Sequence, residues 1–316
     1  MDEGSMLIVV GLGGNALLRR DDRTDWTTQR NRADNAAEAI RPLAAGAHLV
    51  VTHGNGPQVG LLALEQYTAR HDSADPLDAL DALTEGGLGY LLDQALTNAM
   101  PERRVATLLT QVVVDPDDPA FAEPTKPIGP TYTDAQRHTF ESMRGWRFCK
   151  VPGGWRRVVA SPEPQTIIEI DAIRLLIEGD HIVVCAGGGG IPVHRDAGGW
   201  LRGTEAVIDK DLTTARLAIA LDAQALVLLT DVDSVQTGFG TAGARRLRRI
   251  SVPAARSLDL PAGSMGTKVE AACRFASATG RQAGIGALDH AAQVLTGAAG
   301  THVTADDVAT RWWDPD

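Results

Sequence analysis

The amino-acid sequence predicts an α/β fold in which helices cover both faces of a mainly parallel sheet. Short runs of β-branched residues recur along the chain, and alanine-rich helical patterns separate several of them. These runs occupy residues 7–10, 48–52, 105–114, 181–185 and 225–230. Nearly every run ends in a glycine-rich or polar turn, and open α/β sheets bind ligands beyond the carboxyl ends of their strands. We therefore expect these turns to meet at one edge of the sheet.

The composition indicates a compact enzyme that acts on small molecules. With 316 residues, of which 44% are hydrophobic and 22% charged, the chain can bury a large core and is not disordered. Its 33 glycines exceed what turns alone need and indicate loops that approach ligands. The net charge of −10 argues against nucleic acid or a membrane surface as a general partner. No apolar run approaches the ~20 residues that a membrane span needs.

The three cysteines and the acidic amino terminus predict a cytoplasmic protein. Cys149, Cys185 and Cys273 have neither metal-ligand spacing nor the even count of a disulfide framework. The first six residues include acidic side chains where a signal peptide would have basic ones. We therefore expect the protein to work in the reducing cytosol.

Glycine-rich turns follow the first two predicted strands, at residues 11–15 and 52–60. Such turns expose backbone N–H groups, which bind an anion together with the dipole of the following helix. Both segments also fit tight strand-to-helix turns without a ligand, and the first lacks the acidic residue of a dinucleotide-binding fingerprint. His53 lies in the second turn. A lone histidine there is more often a structural hydrogen-bonding group than a base, so we leave it out of the catalytic set.

Three lysines lie in conformationally constrained segments. Lys126 is flanked by prolines in residues 123–130, Lys210 stands between two aspartates before an alanine-rich helical pattern, and Lys268 ends residues 263–268. Each also fits a plainer interpretation: a solvated lysine, a helix whose N-cap is one of those aspartates, or an exposed lysine in a first turn. Taken together, fixed cations suit phosphoryl transfer, because the transferring group spreads negative charge over its oxygens.

A run of four glycines, Gly187, Gly188, Gly189 and Gly190, follows the predicted strand at residues 181–185. Because a structural turn would need only one or two glycines, the run favours contact with nucleotide phosphates. Residues 229–233 and 263–268 also predict a nucleotide site, although no P-loop string occurs in the chain. Neither the G-x-S-x-G elbow nor the zinc signatures occur, so hydrolase and zinc chemistry have little basis.

Two segments depart from the regular alternation of strands and helices. Residues 115–164 contain repeated prolines and a cluster of tryptophan and arginine, which predicts an excursion from the main sheet. Residues 241–258 are rich in arginine and turn residues, which predicts a surface connection.

The strings at residues 13–17, 53–60, 124–130, 187–193, 206–211 and 263–268 closely resemble carbamate kinases of the amino acid kinase superfamily, in the same order. The resemblance runs from about residue 7 to residue 301. It implies a three-layer αβα sandwich, a homodimer, and reversible phosphoryl transfer between ATP and carbamate, with Mg²⁺ accompanying ATP or ADP. It also implies an acceptor lobe at residues 1–220, with a small protruding subdomain at about 122–162, and a nucleotide lobe at residues 221–316.

The same resemblance assigns the site residues. It implies catalytic roles for Lys126, Lys210, Lys268, Asp211 and Asp209. It implies substrate binding by Gly13, Gly14, Asn15, Gly54 and Asn55. It implies nucleotide binding by the four glycines and by Thr230, Asp231, Asp233, Met265, Gly266 and Lys268. No protein metal ligand is implied, since nucleotide phosphates would hold the Mg²⁺.

Two segments depart from the family pattern, which usually has proline where Thr267 stands and Gln-Gly-Met-Ile-Gly where residues 85–89 read Glu-Gly-Gly-Leu-Gly. Because a glutamate repels an anionic substrate, we expect Glu85 either to point away from the site or to mark a different acceptor. The alternatives are another small-acid or acyl-phosphate kinase of the superfamily, or a non-catalytic nucleotide sensor or structural subunit. A sensor would have lost one of the three lysines or Asp211.

Overall fold

The computed structural model describes residues 5–18, 22–70, 75–241, 243–260 and 264–314. Within these ranges the strands are β1 (Met6–Leu12), β2 (Ala47–His53), β3 (Arg104–Thr107), β4 (Gln111–Val113), β5 (Lys126–Tyr132), β6 (Arg147–Val151), β7 (Gly154–Val159), β8 (Thr166–Ile167), β9 (His181–Val184), β10 (Ile191–Arg195), β11 (Leu201–Gly203), β12 (Ala225–Thr230), β13 (Gln236–Thr237), β14 (Arg245–Ser251), β15 (Ala283–Ala287), β16 (Thr301–Thr304) and β17 (Arg311–Trp312). The α-helices are α1 (Gly14–Leu17), α2 (Trp26–Ile40), α3 (Gly56–Arg70), α4 (Leu77–Ala99), α5 (Asp134–Arg144), α6 (Ile170–Glu178), α7 (Lys210–Ala220), α8 (Val252–Arg256), α9 (Ser264–Thr279) and α10 (Ala291–Thr296).

The main sheet is mostly parallel, as predicted. Its strand order is β13-β14-β16-β15-β12-β1-β2-β9-β3, with β17 beside β14. The pairs that join β15, β12, β1, β2, β9 and β3 are all parallel. Antiparallel pairs occur towards the other edge, between β15 and β16 and between β14 and both β13 and β17.

Hydrophobic cores lie on both faces of this sheet, which makes the fold a three-layer αβα sandwich. Val9 of β1 belongs to the core that α6, α7, α8 and α9 cover. Its neighbours Ile8 and Val10 belong to the other core, which α2, α4 and α10 cover. Because both faces of β1 are buried, its sequence is continuously apolar instead of alternating. Within the described part of the chain, every helix is too short or too polar to span a lipid bilayer.

The predicted single strand at residues 105–114 is wrong. The chain leaves β3 in the main sheet and enters β4 in a second sheet, whose order is β11-β10-β4-β8. Thr110 lies at this transition and is fully buried. Its backbone carbonyl accepts a hydrogen bond from the N–H of Ile191 at 2.8 Å, so the second sheet begins one residue before β4.

The predicted surface connection at residues 241–258 is also wrong, because β14 belongs to the main sheet and α8 follows it. Leu247 and Ile250 of β14 face the core, which provides the buried side of this strand. The guanidinium of Arg245 lies 4.0 Å from the centre of the Trp312 ring. Stacking on an aromatic face lets such an arginine occupy a strand, although its charge resembles that of a surface loop.

The predicted excursion is confirmed: β5, β6 and β7 form a separate three-stranded sheet. An aromatic cluster supports it, in which the ring centres of Tyr132 and Phe140 are 5.6 Å apart and those of Phe140 and Trp146 are 4.7 Å apart. Helix α3 packs against β5, where a Cβ on Gly60 would lie 2.1 Å from the Cα of Gly129. This close contact fixes the position of β5. The boundaries at about 122 and 162 stay a prediction.

Candidate active site

The ends of three parallel strands bring the predicted turns together. The register places Leu12 of β1 beside His53 of β2 and beside Leu229 of β12. The following residues, Gly13 and Gly54, therefore lie next to each other at the same edge as Thr230. The N–H of Gly13 donates to the carbonyl of Leu229 at 2.9 Å, and the N–H of Gly54 donates to the carbonyl of Leu12 at 3.2 Å. The predicted meeting is confirmed for the turns that follow β1, β2 and β12.

Close backbone packing explains why glycines form this edge. A Cβ on Gly13 would lie 2.9 Å from the carbonyl oxygen of Leu229, and one on Gly54 would lie 3.1 Å from the Cα of Gly14. Any side chain would push the loops apart. The same absence of side chains leaves backbone as the surface that a ligand meets.

A cavity of ≈250 Å³ lies above these turns. Helices α3 and α7 begin in its wall, with Gly56 and Lys210 as their first residues. The positive ends of two helix dipoles therefore favour an anion there. Of the predicted site residues, the cavity is lined by Gly13, Gly14, Gly54, Asn55, Lys126, Gly188, Asp209, Lys210, Asp211, Thr230, Asp231 and Lys268.

The three lysines meet two aspartates in this cavity. Lys126 Nζ lies 2.9 Å from Asp209 Oδ2, while Lys210 Nζ lies 2.6 Å from Asp211 Oδ1. The other oxygen of Asp211 accepts a hydrogen bond from Lys268 Nζ at 3.2 Å. Asp209 also caps α7, because its Oδ1 accepts the N–H of Asp211 at 2.9 Å. The cap and the charged site proposed for this segment are thus both present, and each aspartate fixes at least one lysine.

Burial shifts the ionisation of this cluster. Burial alone would raise the pKa of Asp209, but the charges of Lys126 and Lys210 hold it well below its usual value. The pKa of Lys268 is lowered by burial and by the neighbouring charge of Lys210, against the attraction of Asp211. The carboxylate of Asp209 therefore stays ionised at neutral pH, and the cluster has more cations than anions.

Arg156 adds a fourth cation, which the sequence did not single out. It lines the cavity from β7, and its Nε donates to the carbonyl of Gly129 at 3.1 Å. The adjacent Arg157 points away and places its guanidinium 4.0 Å from the centre of the Trp146 ring. Strand alternation separates these two arginines. Sequence alone could have singled out Arg156 only if residues 154–159 were known to form a strand, because strand alternation then places Arg156 and Arg157 on opposite faces.

Asn55 is held by residues that the sequence analysis missed. Its Nδ2 donates to Asp81 Oδ1 and to Thr84 Oγ1, each at 2.9 Å. Asn55 and Asp81 are both 1% exposed. Burial raises the pKa of Asp81 well above its usual value, even though the bond from Asn55 lowers it. The side chain of Asn15, the other predicted substrate-binding asparagine, lies outside the described residues.

The backbone conformation and close packing of this turn require its four glycines. Gly188, Gly189 and Gly190 have φ values of 72°, 107° and 84°, which side chains rarely adopt. A Cβ on Gly187 would lie 2.4 Å from His53 Nε2. The premise that a structural turn needs only one or two glycines is therefore wrong here. Gly188 reaches the cavity, and the role of the four in nucleotide binding stays a prediction.

The other predicted nucleotide residues divide into two groups. Thr230 and Asp231 line the cavity, and the hydroxyl of Thr230 donates to Asp231 Oδ1 at 3.1 Å. Asp233 instead lines a different cavity, beside Arg246 and Trp313. Of the remaining predicted residues, Met265 packs against a hydrophobic core and Gly266 lies in α9.

His53 and Glu85 both lie behind the cavity wall. His53 is 1% exposed, and burial lowers its pKa to about 4. This agrees with leaving it out of the catalytic set. Glu85 is equally buried, and its two carboxylate oxygens accept backbone N–H groups of Gly187 and Thr110. Of the two possibilities for Glu85, the structure shows the first: it points away from the cavity.

The fold and the lysine-lined cavity define a kinase of the amino acid kinase family, and the chain belongs to that family, whose model matches residues 6–286. Carbamate kinase from Rhizobium meliloti (strain 1021) is 46% identical over 310 residues, which cover 97% of this chain and 96% of the relative. Carbamate kinase from Haemophilus influenzae is 45% identical over 300 residues, covering 95% and 97%. Within the family, the chain belongs to the carbamate kinases.

Solved structures agree with this assignment. Carbamate kinase from Giardia lamblia bound to citric acid superposes with a TM-score of 0.89 and 37% identity, and covers 96% of this chain and 99% of its own. The same enzyme bound to AMP-PNP gives a TM-score of 0.86 and 36% identity, with the same coverage.

Proposed function

We propose that the protein catalyses reversible phosphoryl transfer between carbamoyl phosphate with ADP and carbamate with ATP. The observation that carries this proposal is the arrangement of three lysine ammonium groups on two aspartates in one cavity. The Giardia lamblia relative binds AMP-PNP, an ATP analogue, which supports a nucleotide as one of the two substrates here. We propose that in the cell the reaction runs toward ATP.

The reaction requires positioning and charge, and no nucleophilic side chain. The bond between phosphorus and the carbamate oxygen breaks while a terminal oxygen of ADP forms a bond to the same phosphorus. Negative charge spreads over the transferring oxygens in the transition state, and fixed cations stabilise it. We assign this role to Lys126, Lys210 and Lys268. Because Asp209 and Asp211 hold the lysines before the substrate arrives, little reorganisation is needed at the moment of transfer.

Asn55 provides a basis for choosing the carbamoyl group. Both hydrogens of its amide nitrogen are used, by Asp81 and Thr84. Its carbonyl Oδ1 is the acceptor that remains for a ligand in the cavity. A carbamoyl group has N–H donors that match this oxygen, whereas an acetyl group has only a methyl there. We therefore propose that Asn55 favours carbamoyl phosphate over acetyl phosphate, since a buried acceptor left unpaired costs free energy.

Mg²⁺ with ATP or ADP is the cofactor we propose. The carboxylates of Asp209 and Asp211 are engaged by lysines, and the described residues contain no cluster of three or more potential metal ligands. These residues fit an ion that nucleotide phosphates and water hold, which is the usual state of Mg²⁺ at phosphoryl-transfer sites. When bound, the ion neutralises charge on the phosphates.

We also propose a cytoplasmic homodimer. Free cysteines at positions 149, 185 and 273 fit a reducing compartment. Trp26, Leu83 and Tyr90 are each more than half exposed at the start of α2 and along α4, and a Cβ on Gly87 of α4 would touch Trp26. Exposed apolar side chains that cluster in this way favour contact with another protein surface. Analytical ultracentrifugation of Tyr90→Glu should show a shift toward monomer.

The decisive experiment measures ATP formation from carbamoyl phosphate and ADP with Mg²⁺, corrected for spontaneous breakdown of the donor. Acetyl phosphate serves as the competing donor. Rapid ATP formation that is selective for carbamoyl phosphate is the expected result. ATP formation that prefers another acyl phosphate would instead make the protein a different small-acid kinase. Nucleotide binding by calorimetry without any turnover would make it a sensor.

A further inference from the structure

The carboxylate of Glu85 joins two separate segments behind the cavity. Its Oε1 accepts the N–H of Gly187 at 2.8 Å, and its Oε2 accepts the N–H of Thr110 at 3.3 Å. Glu85 is 1% exposed and Thr110 is fully buried, so water does not compete for these bonds. A carboxylate is costly to bury, and two backbone donors on two segments stabilise its ionised form here.

The segment held by Glu85 packs directly on Asn55. A Cβ on Gly188 would lie 2.3 Å from Asn55 Nδ2, so the backbone of this turn forms one wall around the amide. The hydroxyl of Thr110 donates to the carbonyl of Leu108 at 3.2 Å and accepts the N–H of Ala186 at 3.0 Å, which ties the turn down at its start. Asp81 and Thr84 hold the same amide from α4. Asn55 is thus fixed between α4 and the glycine turn.

We propose that Glu85 is a positioning residue for the acceptor side of the reaction: its carboxylate clamps the turn at Gly187 and Gly188 against Asn55 and thereby sets the amide that meets the carbamoyl group. This inference rests on the proposed function. An ionised carboxylate has two acceptor oxygens for the two N–H donors, whereas an amide or a protonated carboxyl has one acceptor and one donor. The clamp is complete only with the ionised form.

The surroundings of Glu85 make its ionisation sensitive to pH. Burial raises its pKa to about 8, although the N–H groups of Thr110 and Gly187 lower it. The charges of Asp81 on the same helix and Glu169 before α6 raise it further. Burial raises the pKa of the Cys185 thiol, which follows β9, and the charge of Glu85 raises it further. His53 of β2 also packs against Gly187, and its pKa of about 4 keeps it neutral here.

The test compares the wild-type enzyme with Glu85→Gln, measuring kcat/KM for carbamoyl phosphate and KM for ADP across the pH range around 8. Above the pKa of about 8, the variant should lose about tenfold in kcat/KM for carbamoyl phosphate, the expected effect of one hydrogen bond to a charged group. Its KM for ADP should stay within about twofold of the wild-type value. Well below that pH the two enzymes should converge, because protonated Glu85 resembles glutamine.

Asp93→Asn is the matched control. Asp93 lies two turns further along α4, is half-buried and accepts one hydrogen bond, from the hydroxyl of Thr107 at 2.9 Å. This substitution makes the same chemical change on the same helix away from the cavity. The ratio of its kcat/KM to the wild-type value should stay the same as the pH rises. If both variants lose kcat/KM to the same extent as the pH rises, or if neither variant does, the role assigned to Glu85 is wrong.

Hydrogen exchange provides a measurement that does not depend on turnover. Exchange followed by mass spectrometry at a pH above 8 should be faster in Glu85→Gln for peptides that contain Gly187 or Thr110, and unchanged for peptides from α4. Equal protection in both proteins would refute the clamp. If the wild-type enzyme makes no ATP from carbamoyl phosphate, the proposed function fails. If it does so and the variant matches it at every pH, only the role of Glu85 fails.

Discussion

Replacing Asp211 with asparagine should destabilise the protein strongly. Asp211 is 2% exposed and holds Lys210 at 2.6 Å and Lys268 at 3.2 Å. At 3.2 Å, two unit charges attract each other by about 5 kcal/mol at an effective dielectric constant of about 20. Removing one partner of a buried ion pair costs about 3–5 kcal/mol, which is similar. We expect Asp211→Asn to lose about 3–5 kcal/mol of unfolding free energy, a large part of the roughly 5–15 kcal/mol that a folded protein has.

The same substitution should change the pH dependence of catalysis. Burial and the charge of Lys210 already lower the pKa of Lys268, while Asp211 raises it. Without Asp211 the pKa of Lys268 falls further, so the ammonium loses its proton at a lower pH. The alkaline limb of the profile of kcat/KM against pH should therefore move to lower pH, because the transition state needs the charged form.

Urea unfolding followed by circular dichroism gives the stability, and ATP formation gives the pH profile. Asp222→Asn is the control, because Asp222 also forms an ion pair, with Arg281 at 2.7 Å, but is 78% exposed. Its φ of 53° is one that asparagine tolerates. The control should lose at most about 1 kcal/mol. If Asp211→Asn loses no more stability than the control, the reasoning about the buried cluster is wrong.

Three further predictions concern Lys126, Gly60 and His53. Lys126→Ala should lower kcat by about a hundredfold or more in steady-state assays and leave the KM for ADP within about twofold, because its ammonium acts when charge develops; an unchanged kcat would remove it from the mechanism. Gly60→Ala should cost about 1–3 kcal/mol or more in urea titrations, since its Cβ would lie 2.1 Å from the Cα of Gly129. Gly86→Ala, whose Cβ has ordinary contact at 3.6 Å, is its control and should not destabilise. His53 has a folded-state pKa of about 4, below its ordinary 6.5, so the unfolded state binds more protons between these values. The wild-type protein should therefore lose about 3 kcal/mol of unfolding free energy from this group as the pH falls from 6.5 to 4. His53→Gln should lack that loss in urea unfolding at the same pH values. An equal pH dependence of stability in both proteins would contradict the lowered pKa of His53.

The edge of the sheet could be predicted because its signals are local. An apolar run followed by glycine marks the end of a buried strand, as at Gly13 and Gly54. Parallel pairing then brings consecutive turns together without further information. Lys126 and Lys268 followed from similar local logic, since their proline- or glycine-containing segments restrict the backbone, and Lys210 followed from its place between two aspartates before a helical pattern.

Contacts between distant segments could not be predicted in this way. Arg156 and Arg157 are adjacent in sequence, and only the pairing of β7 with β5 decides which one faces the cavity. The break at Thr110 depends on a glutamate 25 residues away. Charge also misled the sequence analysis at β14, because Trp312 lies far along the chain and accepts the guanidinium of Arg245 in space.

The pair formed by Lys126 and Asp209 has a mechanical consequence. Lys126 belongs to the small three-stranded sheet, whereas Asp209 caps a helix of the main body, so their bond is a strap between two parts of the molecule. A phosphate that draws the ammonium toward itself competes with the carboxylate for it. If Lys126 binds the transferring group as proposed, we expect substrate binding to weaken this strap and release of the product to restore it. The position of the small sheet would then depend on whether the cavity is filled.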